Sequence, residues 1–336
     1  MPSLVVRAPG DVVLEHRPSA TPGADEVLVR PSAVGVCGTD LDIVDGRIDP
    51  AYVSYPVVLG HEWAGVVAAT GPQTSGVGVG DLVVVEGIVP CGHCRSCRAG
   101  DTNLCSTYDE FGFTRDGAAA DAVVAPADLV HVLPSGADPE GGALVEPMAV
   151  VHRALTRLHP QPGERALVVG DGTVALLTAH LLNLWSPAEI VMLGRRPAQA
   201  ALARAAGAQQ FSTDPADAVG FDLVVEAAGA VAASVTAIAA ARRGGRVGLL
   251  GFPGLGVTAP LAVDDVVNND LTIRGSFSYT SASWRAVVDL LAKGRIDPTF
   301  VVTHRFALES WPEALDVLRN GPGDDSPRGK VLLVTG

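Results

Sequence analysis

The sequence predicts a two-part α/β chain: a barrel-like domain of short strands, then a doubly wound parallel sheet. Three observations carry this reading. Up to about residue 130, short β-prone runs alternate with Pro and Gly, and no long helical periodicity interrupts them. From Arg165 a buried-strand run enters a glycine turn and then a helical stretch. Strand and helix segments then keep alternating, which implies a parallel sheet with right-handed crossovers. A length of 336 residues suggests two domains.

In chain order, the first strands are expected at Leu4–Val6, Val12–Leu14 and Val27–Val29, separated by Pro9-Gly10 and Pro22-Gly23. Val57–Leu59, Gly65–Ala69, Asp81–Val85 and Ala122–Val124 continue the series. In the second part, strands are expected at Ala166–Val169, Ile190–Leu193, Asp222–Val225 and Gly245–Leu250. Helices fall between them at Leu176–Trp185, Pro197–Ala206 and Ala230–Ala241.

Hydrophobic residues make up 48% of the chain, enough for a sizeable core, and the formal net charge is −13. That charge argues against nucleic acid as a partner, since binding it requires a basic face. No apolar run approaches membrane-spanning length; Thr178, His180 and Asn183 break the stretch from Val174 to Trp185. The N-terminus opens as a strand pattern without the features of a signal peptide. The expectation is a soluble cytoplasmic protein.

Five cysteines are present, and four lie between positions 91 and 105 as C-x2-C-x2-C-x7-C. In a cytosolic chain such clustering points to metal. Cys91, Cys94, Cys97 and Cys105 can close a tetrahedron around a structural zinc and tie down a lobe with little core of its own. An iron–sulfur cluster is the rival, but the cysteine run usual for a cluster ends in Cys-Pro, and here Ser106 follows Cys105. His93 lies between ligands and is not counted as one.

A second donor set is dispersed. Gly60-His61-Glu62 is joined by Cys37-Gly38-Thr39-Asp40 upstream and Val145-Glu146-Pro147 downstream. A thiolate, an imidazole and one or two carboxylates, from Cys37, His61, Glu62 and Glu146, suit zinc and leave a position open for substrate. Such a site is catalytic in kind, whereas the four-cysteine site is closed.

The turn Gly170-Asp171-Gly172-Thr173-Val174-Ala175 has the form G-x-G-x-x-A between a strand and a helix, the context a dinucleotide motif needs. Gly170 allows the tight turn, Gly172 lets a pyrophosphate approach the backbone, and the helix N-terminus offers amides to the phosphates. An NAD site carries a carboxylate at the end of the second strand; here Leu193 is followed by Gly194-Arg195-Arg196. With two guanidiniums available for a 2′-phosphate, NADP is favoured over NAD.

These residues resemble the zinc-dependent medium-chain alcohol and polyol dehydrogenases over nearly the whole chain. The likeness includes Gly35–Asp40, Pro56–Trp63, the four-cysteine lobe, Asp116-Gly117-Ala118, Val145–Pro147, the glycine turn, Glu226–Gly229 and Gly244–Val247. The resemblance implies a GroES-like barrel over residues 1–147, a Rossmann domain over 148–280 and a return of residues 281–336 to the barrel. It implies a catalytic zinc on Cys37 and His61, with Glu62 a ligand or close behind. Glu146 matches the further carboxylate of the sorbitol, threonine and glucose dehydrogenase branches. Thr39 matches the proton-relay hydroxyl, and Asp40 a group that orients a ligand. The histidine that often continues the relay is replaced by Asp42. Thr173, Val174, Ala228, Gly229, Leu250 and Gly251 are implied along the nucleotide, with Ser276–Ser278 flanking the nicotinamide. Lys330 matches a basic position near the phosphates, and is otherwise a solvated lysine. Tyr52, Trp63, Tyr108, Phe111 and Phe113 are candidates for a substrate wall, or core.

The implied reaction is hydride transfer between a secondary alcohol and NADP, in a homodimer or homotetramer acting on a small alcohol or ketone. Polyols, sugars, cyclitols or aminocyclitols suit a carboxylate-rich site. A zinc-free quinone or enoyl reductase on the same fold, or a non-enzymatic scaffold, is the alternative.

Overall fold

A computed structural model describes residues 2–18, 20–323 and 325–334. The chain divides into two units: Met1–Glu146 with Thr280–Asp324 and Lys330–Gly336, and Pro147–Tyr279 with Asp325–Gly329.

The first unit is built on the long strand Glu26–Val36. It pairs antiparallel with Glu62–Thr70, Val123–Pro126 and Lys330–Val334. Leu82–Val85 and Val130–Val132 extend the sheet on one side, and Val302–Ala307 extends it on the other. A smaller sheet joins Pro2–Ala8 to Asp11–His16 and Val57–Val58. Val27 and Val29, and after a register shift at Pro31–Ala33 Val34 and Val36, belong to a core shared with Val57, Trp63, Val83 and Val331.

The second unit is a six-stranded parallel sheet. Its order is Gln210–Ser212, Glu189–Leu193, Arg165–Val169, Phe221–Glu226, Ala241–Leu249, Thr272–Gly275. Strand order reverses at Arg165–Val169, and the carboxyl end beside such a reversal is where ligands bind in open α/β sheets. Leu167, Val169, Val191, Leu193, Val224 and Val247 are buried between helix layers, which explains their near-continuous apolar runs.

Gln210–Ser212 and Thr272–Gly275 are the edge strands of this sheet. Both are short and half-exposed or more, so neither carries a buried apolar run. The expected helix ends at Leu182, after which Asn183–Trp185 tightens into a 3₁₀ turn. One expectation needs correction: the return is not wholly to the barrel, since Asp325–Gly329 groups with the parallel-sheet unit. Among the described residues no helix is long and apolar enough to cross a membrane.

Candidate active site

Cys37 precedes the helix Gly38–Val44 in an extended conformation. Its backbone N–H donates to Asp40 Oδ2 at 2.8 Å, so the residue that opens the helix is fixed by the carboxylate three positions on. The thiol sulfur lies 3.7 Å from Thr39 Oγ1. Asp40 is buried, and its Oδ1 lies 3.5 Å from Nδ1 of His61. A carboxylate against a buried imidazole is the kind of neighbour that orients a ligand ring.

The ligand atoms of Cys37, His61 and Glu62 all lie within 4.8 Å of one another. Two places in the sequence deliver them: the helix start at Cys37, and the junction where the loop residue His61 meets Glu62, the first residue of Glu62–Thr70. A soft sulfur, an imidazole and a carboxylate clustered in a buried pocket fit zinc. Burial, the largest single effect, disfavours a charged His61, but Asp40 and Cys37 together outweigh it and raise the imidazole well above its ordinary value. The pocket therefore favours positive charge.

Glu146 does not join the 4.8 Å set. It faces the same cluster: burial first, then the charge of Glu62, pushes its carboxyl up to about 8. The structure thus assembles Cys37, His61 and Glu62, with Glu146 beside them.

Lys330 corrects the sequence expectation. It is neither solvated nor open to a phosphate: it is 3% exposed and forms an ion pair with Glu62, itself 2% exposed. Register explains the meeting. Glu26–Val36 lies between their strands, with Gly35 opposite Glu62 and Val36 opposite Val331. A Cβ at Gly35 would lie 2.7 Å from Lys330 Cε and overlap Glu62 Oε2, so glycine makes the space for the pair.

Of the aromatic candidates, only Phe113 is seen against a ligand, its ring centroid 5.3 Å from that of His61. Trp63 and Phe111 are core, packed edge to face. Tyr52 is exposed, and burial pushes the half-buried Tyr108 up to about 12. Asp42 is turned to the surface in a pair with Arg47. Glu110 was missed by the sequence reading. Its carboxyl acts on both His61 and Glu146, and burial raises it to about 7.

In the lobe, the sulfur atoms of Cys91, Cys94, Cys97 and Cys105 all lie within 4.8 Å of one another, and none is in a disulfide. Backbone N–H groups of Cys91, Cys94 and Cys97 donate to neighbouring sulfurs. Such donors stabilise thiolate and fit a closed tetrahedral ion. His93 turns away, its Nδ1 2.7 Å from Cys91 O.

In the parallel-sheet unit, Gly170 has φ +134°, and a Cβ there would press on the Ala227 carbonyl at 3.0 Å. Gly172 caps the helix Thr173–Leu182 with no side-chain acceptor, and a Cβ on it meets nothing within 4 Å. Uncapped first-turn amides beside open space fit a pyrophosphate. Glu226 is fully buried and accepts from the N–H groups of Ala228, Gly229 and Gly251. One carboxylate therefore shapes the two loops that carry Ala228, Gly229, Leu250 and Gly251. Arg153 holds the next loop, donating to Ser276 Oγ and Phe277 O at 3.4 Å.

The arginine expectation is altered. The guanidinium of Arg196 is committed to Asp171, with Nη2 2.8 Å from Oδ1. Asp171 Oδ2 also accepts from the N–H groups of Arg195 and Arg196. The glycine turn thus sets a carboxylate beside Gly194, and Arg196 neutralises it. Arg195 is exposed.

Residues 23–135 match the alcohol dehydrogenase GroES-like domain, and residues 172–293 match the zinc-binding dehydrogenase domain. The chain is 34% identical to L-threonine 3-dehydrogenase of Saccharopolyspora erythraea, over 97% of this chain and 96% of that one. It is 32% identical to sorbitol dehydrogenase of Bacillus subtilis, over 94% and 93%. A zinc-binding dehydrogenase from Sinorhizobium meliloti, solved bound to NADP, superposes with a TM-score of 0.92 at 28% identity, over 99% of each chain. With the metal-ligand cluster, the glycine turn and these likenesses together, the chain belongs to the zinc-dependent medium-chain dehydrogenase family.

Proposed function

We propose that this dehydrogenase transfers hydride between a secondary alcohol of the polyol, sugar, cyclitol or aminocyclitol class and NADP. The observation that carries the reading is the convergence of Cys37, His61 and Glu62 on one buried point. Cys37, His61 and a carboxylate, Glu62 or Glu146, would hold the catalytic zinc; the four lobe cysteines would hold a structural one. When bound, zinc supplies a Lewis acid for the alcohol oxygen and NADP supplies the hydride acceptor.

The chain's own residues do the rest. The Thr39 hydroxyl, beside Cys37, passes the alcohol proton outward. Asp40 fixes both Cys37 and the His61 ring. Phe113 walls the imidazole on one side and keeps water from it. Gly170, Gly172, Thr173 and Val174 receive the pyrophosphate, and Gly194 with Arg195 admits a 2′-phosphate.

The deciding experiment joins metal analysis to an activity panel. Cys37→Ala should lower zinc from two per chain to one and abolish NADP-linked oxidation of polyols, sugars and aminocyclitols. Undiminished turnover in that variant sinks the assignment. One zinc or none in the parent favours a quinone or enoyl reductase. Silence on every alcohol and ketone, with NADPH bound, favours a scaffold.

A further inference from the structure

The seven-residue helix Gly38–Val44 has Cys37 just before it and carries Thr39 and Asp40 in its first turn. A helix this short is not stable by itself in water, so tertiary contacts set its place. Its last four carbonyls, the ones a helix leaves over, are all taken. Leu41 O accepts from the Asp45 N–H at 2.9 Å, and Asp42 O from the Arg47 N–H at 2.8 Å. Ile43 O accepts from the Tyr55 hydroxyl at 2.6 Å, and Val44 O from the Gly10 N–H at 2.7 Å.

The residue just past that end is Asp45, whose charge is the wrong one there: a helix carboxyl end is already partly negative. The last turn has no basic residue of its own. The cation comes from far along the chain. Arg319, in the last turn of the helix Trp311–Asn320, donates from Nη1 to Asp45 Oδ2 at 2.8 Å and from Nη2 to Oδ1 at 2.7 Å. One guanidinium thus serves the negative ends of two helices. Arg47 also bonds Asp45, but its other side-chain partner is Asp42 in the helix, so it ties the helix to nothing outside itself. With Arg319 43% exposed, the pair adds little to stability. Its two-pronged geometry supplies direction instead.

We propose that Asp45 and Arg319 are positioning residues of the reaction: they fix the helix Gly38–Val44 from its far end and so place the Cys37 sulfur and the Thr39 hydroxyl against His61. The inference rests on the reading that Cys37 holds a metal. From Cys37 to Asp45 the lever is about 12 Å long, and a tilt of about 5° over that length is roughly 1 Å at one end, enough to matter for a reacting group. The bond from the Cys37 N–H to Asp40 lies within the helix and turns with it.

The test is the absorption of the full chain loaded with cobalt(II) in place of zinc, which requires no substrate. The band that Cys37→Ala lacks belongs to the Cys37 thiolate on the metal, and its position and intensity report the ligand geometry. Arg319→Ala and Asp45→Asn should shift or weaken that band and speed its loss to EDTA by about fivefold or more, toward the ~10–100-fold that follows loss of a group touching a ligand. Arg319→Lys, which keeps charge without the fork, should fall between. Arg47→Ala takes a cation from the same carboxylate and should keep the parent's band and rate. A parent-like circular dichroism spectrum shows that each variant is folded. If Arg319→Ala and Asp45→Asn keep the parent's band and rate, or if Arg47→Ala alters both as much as they do, the inference is overturned and the metal reading stands. If Cys37→Ala removes no band, the metal reading itself falls.

Discussion

The buried Lys330–Glu62 pair offers the sharpest test of how the metal pocket is balanced. Lys330→Met keeps the length of the stem and removes the charge. Lys330 is acted on by Glu62, Cys37 and Glu146, and each raises its affinity for a proton against the cost of burial. Removing the ammonium leaves Glu62, 2% exposed, without a partner. Breaking a buried pair from one side costs about 3–5 kcal/mol, because the remaining charge stays buried and uncompensated. For a unit of this size about 1 kcal/mol moves Tm by ~2–4 °C, so the barrel transition should fall by roughly 6–20 °C. Glu62→Gln in the same background removes the orphaned charge, and the double variant should return to within about 1.5 kcal/mol of the parent, since a neutral pair of similar volume is tolerated. The assay is urea and thermal unfolding followed by circular dichroism, on four proteins of equal zinc content, because bound metal adds its own stabilisation. A cost below about 1 kcal/mol, or costs that simply add in the double variant, refutes the view that the pair is a coupled internal counter-ion.

Four further outcomes follow from the parallel-sheet unit. A Cβ at Gly194 would lie 2.7 Å from both Asp171 Cβ and the Phe211 ring, so Gly194→Ala should cost about 1–3 kcal/mol in unfolding and weaken nucleotide binding; a neutral effect would show that the turn relaxes freely. For the same reason Gly194→Asp should fail to convert the chain cleanly to NAD, read as Kd for NAD and NADP. Glu226→Gln can keep one oxygen for the N–H groups of Ala228 and Gly229 but then turns an NH2 group toward the N–H of Gly251. It should weaken NADP binding by about tenfold while the zinc content stays at the parent value, and an unchanged Kd would detach Glu226 from the loops' shape. Burial works to raise the Asp171 carboxyl, but its bonds from Arg196 and Arg195 win and hold it below its ordinary value. Its stabilisation is therefore full above the ordinary carboxylate range and is lost as pH falls through the lowered native value. The cost of Asp171→Asn should be large at pH 7 and shrink toward pH 3, and a cost independent of pH would contradict the pairing.

Much of this molecule was legible because its signals are local or strictly spaced. The lobe cysteines stand within fifteen residues of one another, so their spacing alone implied one tetrahedral ion, and the sulfurs do cluster. Gly170 and Gly172 were readable because each answers a backbone requirement, a positive φ or an open approach, that no other residue meets as well. The central strands showed as apolar runs because both faces are buried. The two edge strands left no such trace, since a strand with one face in solvent and only three or four residues carries little periodicity.

What the sequence hid is mostly the pairing of charges across long separations. Lys330 and Arg196 both looked like cations awaiting a phosphate, and each proves to be the counter-ion of a carboxylate that strand register or turn geometry brings alongside. The reason is physical. A charge run reads identically whether it faces water, a ligand or an internal partner, and only the fold decides which. In the metal pocket, a buried ammonium beside Glu62 means that the carboxylate is balanced before any ion arrives, so Cys37 and His61 form the part of the donor set that Lys330 does not engage directly. The lobe differs in kind: its four sulfurs converge on one point from a short loop, so an ion held there would supply order that a core does not.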